Sequence, residues 1–536
     1  MIQNKYLRMK ILIGAVIMCF SLIAASCTSK FDDFNTDNNR LTDEDLERDY
    51  LALGGLFATM QVDIIPTSDI DANEYQRAQN LTGDIFSGYM AAIGQWNGSS
   101  NNSTYNLYYG DWNDVGFDVA YRLMGTWAQI KEKAGEYEMP TAFSVAQILK
   151  IASLHRITDN HGPIPYSRFG ESSIGSPYDS QESVYKAFFT DLDGAIKELS
   201  AFVAADPDAQ PLKKYDLIYK GDYVKWIKFA NSLKLRLAMR ISYVEPELAK
   251  EMAQEAVNNE YGVITSNADN AILQSGLGVS VYNPLEVCWG RYADCRMGAS
   301  MESYLKGYND PRLSVYFSTS GIDSDYHGVR NGVVINNKSS YELMSSPNVV
   351  AADPVLWMCA AEIYFLRAEG ALWGWDMSGN DGLSTAKDLY NKGVEVSFEH
   401  RGVSGYAAYI DDETSIPVDF VDKVASNNAT ATTSIKIKWN DTAGFEESQE
   451  RILTQKWLAM FPEGQEAWSE FRRTGYPKIF PVVRNNSGGT IDANKQIRRV
   501  PFPQSEYNAN LTEVEKAIVL LGGADNGGTK VWWDKK

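Results

Sequence analysis

Apolar side chains recur every three to four residues in eight segments of this chain, and this spacing predicts amphipathic α-helices. The pattern is clearest in residues 225–242, where Trp226, Phe229, Leu233 and Leu237 fall on one stripe. Predicted strands are few and short, so we expect a mainly α-helical fold. The other seven predicted helices cover residues 115–134, 142–156, 183–203, 361–373, 384–396, 449–461 and 464–473.

Short breaks between some of these helices predict how they pack. At Phe461-Pro462-Glu463-Gly464 a proline and a glycine end one helix, and the next begins at once. Helices joined so closely stack as antiparallel hairpins, as they do in tetratricopeptide repeats. The repeat consensus is not visible at a fixed period of about 34 residues. The sequence therefore predicts tetratricopeptide-like hairpins with long irregular loops, and not a regular solenoid.

Basic residues occupy much of the remaining surface of the 225–242 helix. We interpret them as a solvated face on an acidic protein and assign them no ligand. The chain carries 50 Lys and Arg against 69 Asp and Glu, and its net charge of −19 repels phosphate backbones. Nucleic-acid binding is therefore not expected. The basic residues of this helix are Lys225, Lys228, Lys234, Arg236 and Arg240.

The first 26 residues (1–26) have the pattern of an export signal. A positive segment with Lys5, Arg8 and Lys10 precedes 15 apolar residues, a run too short and wrongly flanked for a stable membrane-spanning helix. Small residues then lead directly to Cys27, which resembles the lipobox of bacterial lipoproteins, where the cysteine is lipidated. We predict a lipoprotein signal peptide and a lipid anchor at Cys27. Cleavage by ordinary signal peptidase is the alternative.

Residues 27–45 begin with this cysteine and are polar and acidic. Such a composition buries too little apolar surface to fold alone, so it predicts a flexible tether. No later run of 18 apolar residues exists. We therefore predict a protein that is held to the membrane by lipid rather than one that spans it. Residues 46–536 are predicted to form a single helical domain.

Common catalytic motifs are missing from the sequence, which has no HExxH, GxSxG, Walker A loop, or GxGxxG after a strand. Five cysteines and four histidines at irregular spacing give no zinc framework. We expect no catalytic residues, no metal and no cofactor, and we interpret His155 and His161 as packing or capping residues. A glycoside hydrolase remains an alternative, because it needs only two carboxylates at a set distance.

Long irregular stretches separate the helical blocks, at residues 94–112, 266–298, 318–348 and 401–442. Loops of this length are usually functional or disordered, and the first two hold aromatic side chains among polar ones. Aromatic rings cover the C–H face of a sugar while Asn, Asp and Arg bind its hydroxyls, so the pattern indicates glycan binding. Anchoring of the loops to the helical body is the alternative. The candidate glycan-binding residues are Trp96, Asn97, Asn101, Trp289, Arg291 and Tyr292.

Two of the five cysteines, Cys288 and Cys295, flank the second group of these candidates. In the oxidising compartment that an export signal implies, a disulfide between them would close the loop. Cys359 precedes an apolar helix and is predicted to be a buried free thiol.

Seven strings of residues, taken together and in order, resemble the SusD/RagB family of outer-membrane nutrient-binding lipoproteins in its SusD-like variant. The resemblance covers nearly all of the chain after the signal peptide. One such string is weak evidence, but seven in the same order are strong. They are Ile157-Thr158-Asp159 with Gly162-Pro163-Ile164-Pro165-Tyr166-Ser167, residues 226–240, Tyr304-Leu305-Lys306-Gly307-Tyr308 with Asp310-Pro311-Arg312-Leu313, Gln455-Lys456-Trp457, residues 463–468 with 471–477, Arg498-Arg499-Val500-Pro501-Phe502-Pro503, and Gly522-Gly523-Ala524-Asp525 with Trp532-Trp533-Asp534.

This resemblance implies a helical core with a loop-rich face, in a protein that binds its ligand without hydrolysing it. It implies a location at the cell surface of the outer membrane. The implied partner is a SusC-like TonB-dependent transporter, over which the lipoprotein closes as a lid. In starch-binding members an aromatic residue and an asparagine early in the chain contact the glucan, and Trp96 and Asn101 occupy a comparable place.

We therefore expect this protein to capture an oligosaccharide or polysaccharide and to deliver it to the transporter. Three alternatives remain open. They are a peptide ligand, a secreted helical glycoside hydrolase, and a lid without ligand affinity.

Overall fold

The computed structural model describes residues 50–67, 72–94, 96, 101–107, 110–171, 175–276 and 278–536. The predicted signal peptide (1–26), lipidated Cys27 and tether (27–45) lie outside these residues. All eight predicted helices are present, and their ends lie within five residues of the predicted ends. The mainly α-helical fold is therefore confirmed.

Twelve helices of nine or more α-helical residues form the frame of the described chain. They are Leu51–Val62, Val115–Glu136, Pro140–His161, Gln181–Ala205, Tyr223–Arg240, Pro246–Val257, Ala299–Gly307, Ala360–Leu372, Ala386–Arg401, Phe445–Met460, Gly464–Thr474 and Leu511–Leu521. Two π-helical segments are Gln76–Asp84 and Val287–Arg291. Shorter α-helical and 3-10 turns are Asn73–Tyr75, Asn102–Thr104, Gly110–Asp114, Asn267–Asp269, Pro284–Glu286, Leu313–Tyr316, Lys338–Ser340, Tyr406–Ile410 and Gln504–Ala509.

Local residue chemistry sets the helix ends. The helix Ala386–Arg401 begins after Thr385, whose hydroxyl accepts a hydrogen bond from the Asp388 N–H at 3.1 Å and so pairs an amide that the helix leaves unbonded. It ends at Gly402, which adopts a left-handed φ of 64° that favours glycine. Such caps mark boundaries that hydrophobic periodicity alone does not define.

The longer helices pack against their neighbours in sequence. Val115–Glu136 packs on Pro140–His161, which packs on Gln181–Ala205, and the series continues through Tyr223–Arg240 to Pro246–Val257. Each helix thus contacts the next one along the chain, which is the arrangement of successive helical hairpins. This confirms the prediction of tetratricopeptide-like pairs.

The helix Tyr223–Arg240 lies at the centre of this arrangement, because Ala360–Leu372 also packs against it. Lys234, Arg236 and Arg240 are therefore buried, and the interpretation of these three residues as a solvated face is wrong. Lys225 and Lys228, nearer the start of the helix, remain half-buried. Amphipathic periodicity identified the helix correctly but gave no information about what covers its second face.

A network of buried ion pairs joins this central helix to the helix Gly464–Thr474. The Arg240 guanidinium lies 2.5 Å from Glu466 and 2.6 Å from Glu470. Arg473 lies 2.8 Å from Glu470 and 2.6 Å from Glu369. Burial alone would raise the pKa of Glu470, but the surrounding cations hold it well below its usual range. The Glu470 carboxylate is consequently charged inside the core.

Among the described residues, four short strands form two antiparallel pairs in the loop-rich part of the chain. β1 (Met90–Ala92) pairs with β3 (Cys295–Met297), and β2 (Ala271–Leu273) pairs with β4 (Val355–Met358). A buried apolar cluster that includes Ile93 packs residues of the 318–348 stretch against β1. The strand pairs therefore connect loops that are far apart in sequence.

Candidate functional site

The β1–β3 pair relates Trp96 to the turn that holds Trp289, Arg291 and Tyr292. Ala92 is paired with Cys295, and the Ile93 N–H donates to the Asp294 carbonyl at 2.8 Å. Because the strands are antiparallel, the residues just after β1 lie beside those just before β3. Trp96 follows Ala92 by four residues, and Tyr292 precedes Cys295 by three. Trp96 and the turn before β3 therefore extend from the same end of the ladder.

Trp96 is half-buried and packs edge-to-face on Trp112, with ring centroids 5.9 Å apart. Its ring also covers Gly94, where an added Cβ would lie 2.7 Å from the indole. A larger residue at this position would displace the Trp96 ring. Asn97, the next candidate, lies outside the described residues.

Trp289 belongs to the π-helical segment Val287–Arg291, which follows a short helix capped by Asn283. The Trp289 ring is half-buried, and its indole N–H donates to the Val349 carbonyl at 2.9 Å. Arg291 is exposed and Tyr292 is half-buried on the following turn. This hydrogen bond fixes one edge of the Trp289 indole, while part of its surface stays accessible to solvent.

Lys338, which we did not single out from the sequence, joins this site from the 318–348 stretch. Its ammonium group donates to the Tyr292 carbonyl and lies 2.7 Å from Asp294. Asp294 also accepts a hydrogen bond from Gln76 at 2.8 Å. Three segments of the chain are thus held together at the end of the ladder. We call Trp96, Trp289, Arg291, Tyr292 and Lys338 the aromatic surface.

Asn101 is not part of the aromatic surface. It is only 4% exposed, and its side-chain oxygen accepts hydrogen bonds from the N–H and the hydroxyl of Ser103 at 2.9 and 2.7 Å. Thr104 completes a reciprocal cap by bonding to the Asn101 backbone N–H. The asparagine therefore shapes the loop, and the expectation that it contacts a ligand finds no support in this geometry.

Comparison with known proteins identifies the architecture around this surface. The sequence model of the SusD-like family, described as SusD and RagB outer membrane lipoprotein, matches residues 33–534. The chain belongs to the SusD/RagB family. This agrees with the resemblance that the sequence strings indicated.

Solved SusD homologues share the fold over nearly their whole length. A chitin-binding SusD homologue from Flavobacterium johnsoniae is 43% identical, with a TM-score of 0.86, over 90% of this chain and 99% of that one. A SusD homologue from Bacteroides uniformis is 40% identical over the same shares, with a TM-score of 0.84. A third, from Bacteroides vulgatus, is 36% identical over 91% and 99%, with a TM-score of 0.85. A comparison with curated protein sequences found no match.

Two of the four histidines of this SusD-like chain lie in its helical core. His155 and His161 are fully buried, and each ring bonds to a backbone carbonyl, that of Ile151 and Pro501 respectively. Burial lowers the pKa of both to about 3, so both are neutral packing residues. No group of three or more His, Cys, Asp or Glu side chains among the described residues is placed to hold a metal ion.

The described helices of this SusD-like chain do not include one that has both the length and the apolar composition that crossing a bilayer requires.

The three cysteines near this surface and in the adjoining core are free thiols. Cys288, Cys295 and Cys359 are all buried, so the disulfide that the sequence allowed is not formed, and the buried free thiol predicted at Cys359 is present. Burial raises the pKa of Cys295 to about 12 and that of Cys359 to about 11. Thiolate, the reactive form, is therefore scarce at neutral pH.

We expect residues 28–536, prepared without reductant, to show no thiol that reacts with a chromogenic disulfide reagent at neutral pH. After denaturation all three thiols should react, because burial alone protects them. A Cys288–Cys295 disulfide would leave one reactive thiol after denaturation. That count would contradict the structure.

Proposed function

We propose that this SusD-like lipoprotein binds oligomeric glycans on the aromatic surface. The observation that carries the proposal is the β1–β3 register, which places Trp96 and the Trp289–Tyr292 turn at one end of a single ladder. A sugar ring needs flat apolar contact on its C–H face and polar groups at its rim. Half-buried Trp96 and Trp289 provide the first, and Arg291 and Lys338 provide the second.

Chitin oligosaccharides are the first ligands that we propose to test. The 43% identical homologue from Flavobacterium johnsoniae is described as chitin-binding, and it aligns over 90% of this chain. Transfer of that ligand class to this protein rests on the shared fold and on the aromatic surface together.

The second part of the proposal concerns delivery of the ligand. The lipid at Cys27 anchors the protein at the outer surface of the outer membrane, and the tether of residues 27–45 lets the domain move above the membrane. The bound glycan then passes to a SusC-like TonB-dependent transporter. Binding to an isolated surface of this kind is weak, and tethering beside the transporter raises the effective concentration of the glycan. The protein itself cleaves no bond in this scheme.

Replacing Trp289 by alanine is expected to weaken binding of the preferred oligosaccharide by about tenfold or more. The reason is that an aromatic contact contributes on the order of 1 kcal/mol beyond area burial, and tenfold corresponds to about 1.4 kcal/mol. Trp96→Ala should act in the same direction. Titration calorimetry on residues 28–536, with chitin oligosaccharides, starch, xylan and mixed peptides, measures the effect.

Trp127→Ala is the matched control, because Trp127 is also half-buried but lies on the helix Val115–Glu136, where it packs on Phe143. It should leave binding unchanged. Binding that survives both Trp96→Ala and Trp289→Ala would contradict the site. Binding of peptides alone would replace the glycan with a peptide ligand, and shortening of the oligosaccharide during the experiment would indicate an enzyme.

A further inference from the structure

A cleft of about 410 Å³ lies where segments that are far apart in sequence meet. It is lined by residues from 105–107, 486–491, 501–507 and 525–527, together with Asn113. Its volume falls within the range of ligand pockets, which is about 300–1,000 Å³. The cleft shares no lining residue with the aromatic surface. It is therefore a second place on the domain with room for a small molecule.

The segments that line this cleft are held against one another by backbone contacts. The Asn486 N–H donates to the Thr104 carbonyl at 2.7 Å. Gly528 packs directly on Thr490, because an added Cβ at Gly528 would lie 1.9 Å from the Thr490 carbonyl oxygen. Such contacts form the cleft before a ligand arrives, so binding costs little ordering of the chain.

Two side-chain amides of the wall use one polar atom within the protein and leave the other unpaired. The Asn526 Oδ1 accepts from the Gly528 N–H at 2.9 Å, and its Nδ2 has no partner in the described chain. The Asn113 Nδ2 donates to the Leu107 carbonyl at 3.0 Å, and its Oδ1 has no partner there. Both residues are half-buried, and both unpaired atoms remain accessible to solvent. The wall thus offers one donor and one acceptor whose directions internal bonds already fix.

Apolar surface lies beside these amides. The Tyr507 ring is half-buried, and its hydroxyl donates to Asp525 at 2.7 Å, which fixes the orientation of the ring. The buried side chains of Leu107 and Ile491 contact the wall at Gly527, where an added Cβ would lie 2.6 and 2.8 Å from them. An aromatic face, aliphatic groups and free amide atoms therefore occur together in one cleft.

Charge distinguishes between ligand classes. Among the described residues that line the cleft, Asp525 has the one acidic or basic side chain apart from tyrosine hydroxyls. Its carboxylate lies 2.5 Å from the Arg499 guanidinium and also accepts from the Phe502 N–H at 3.0 Å. The wall consequently has no excess charge of either sign with which to attract an ion. A neutral ligand with hydroxyl or amide groups fits it best.

We propose that this cleft binds a neutral saccharide at a site separate from the aromatic surface. A sugar hydroxyl both donates and accepts, so sugar hydroxyls can accept from the Asn526 Nδ2 and donate to the Asn113 Oδ1. The Tyr507 ring supplies the flat apolar contact that the C–H face of a sugar needs. The proposal does not depend on glycan binding by the aromatic surface, because the two sites have no residue in common.

Ligand-observed NMR on residues 28–536 tests this proposal. The neutral probes are glucose and N-acetylglucosamine, and their charged counterparts are glucuronate and glucosamine. We expect at least one neutral probe to bind with a dissociation constant on the order of 1 mM, and both charged probes to bind more weakly. Asn526→Asp should weaken binding of the neutral probe by about tenfold, because it keeps the oxygen that accepts from Gly528 but replaces the free donor with an acceptor.

Asn259→Asp is the matched control. Asn259 is also half-buried, and its Oδ1 accepts from the Tyr261 N–H at 3.0 Å, which is the same local turn as at Asn526. It follows the helix Pro246–Val257 and does not line the cleft. The substitution adds the same charge elsewhere, so it should leave probe binding unchanged.

Tyr507→Ala removes the aromatic face and is the second variant, for use if Asn526→Asp does not fold. Trp289→Ala should leave binding of the neutral probe unchanged. Absence of binding by both neutral probes, tighter binding of a charged probe, or binding that Asn526→Asp and Tyr507→Ala both retain would each overturn the proposal. Loss of probe binding in Trp289→Ala would assign the probe to the aromatic surface instead and would overturn it as well.

Discussion

Replacing Arg473 by methionine is expected to destabilise the domain by about 3–5 kcal/mol, which is a large part of a typical stability of about 5–15 kcal/mol. Arg473 is fully buried and donates to both Glu369 and Glu470, at 2.6 and 2.8 Å through one of its terminal nitrogens. Without the guanidinium, two carboxylates remain in the core with fewer cations around them. Chemical denaturation followed by circular dichroism measures the loss.

Two comparison variants distinguish the stability lost by breaking a buried ion pair from the stability lost by removing any charged side chain. Lys133→Ala removes one half of an exposed pair with Glu136, so its effect on stability should be far smaller than that of Arg473→Met. Arg473→Met combined with Glu369→Leu removes a buried cation and one of its anions together, so the double variant should be less destabilised than additivity predicts. Wild-type stability of Arg473→Met would contradict the network.

The helices could be predicted from the sequence because their apolar stripes have the helical period. What covers the polar face of a helix could not be predicted in this way. Lys234 and Arg240 look in the sequence like surface charges, yet Lys234 meets Asp193 and Glu255, and Arg240 meets residues of the helix Gly464–Thr474. These partners are far away in sequence. The neighbouring residues in the sequence do not distinguish a buried, paired arginine from a solvated one.

The candidate site was predictable in part for a similar reason. Aromatic residues in polar loops drew attention to Trp96 and Trp289, which follow and precede the paired strands at the same end of the β1–β3 ladder. Strands of three residues have no reliable sequence signal, so their pairing could not be predicted. Asn101 matched the chemistry of a sugar contact, but an asparagine also caps turns, and here it does so. Lys338 had no local signal at all.

The strings that resemble the SusD/RagB family now have a structural explanation near the C-terminus. Arg498 lies 2.5 Å from Asp534, and Arg499 lies 2.5 Å from Asp525. These pairs tie the last residues of the chain to the segment that follows the helix Gly464–Thr474. They hold Trp533 in the core, where it is fully buried.

Replacing Trp533 by alanine is expected to cost about 3–5 kcal/mol, the range for truncating a buried tryptophan in a well-packed core. The indole N–H donates to Asp159 at 2.8 Å. The guanidinium groups of Arg472 and Arg240 lie 4.9 and 5.4 Å from the ring centroid. The substitution therefore removes packing, a hydrogen bond and two cation–π contacts together. The shift of the urea midpoint at constant m-value measures the cost.

Trp532→Ala is the matched control, since the neighbouring indole is only half-buried and packs on Tyr185 at 6.0 Å between ring centroids. Its effect on stability should be clearly smaller than that of Trp533→Ala.

Trp533 and Arg473 contact the same buried network. Trp533 contacts Arg240, Arg473 contacts Glu470, and Arg240 and Glu470 form an ion pair with each other. Residues that share a network do not act independently. The combined variant should thus deviate from additivity by at least about 0.5 kcal/mol, and simple additivity would mean that the C-terminal tryptophan and the ion pairs stabilise separate parts of the core.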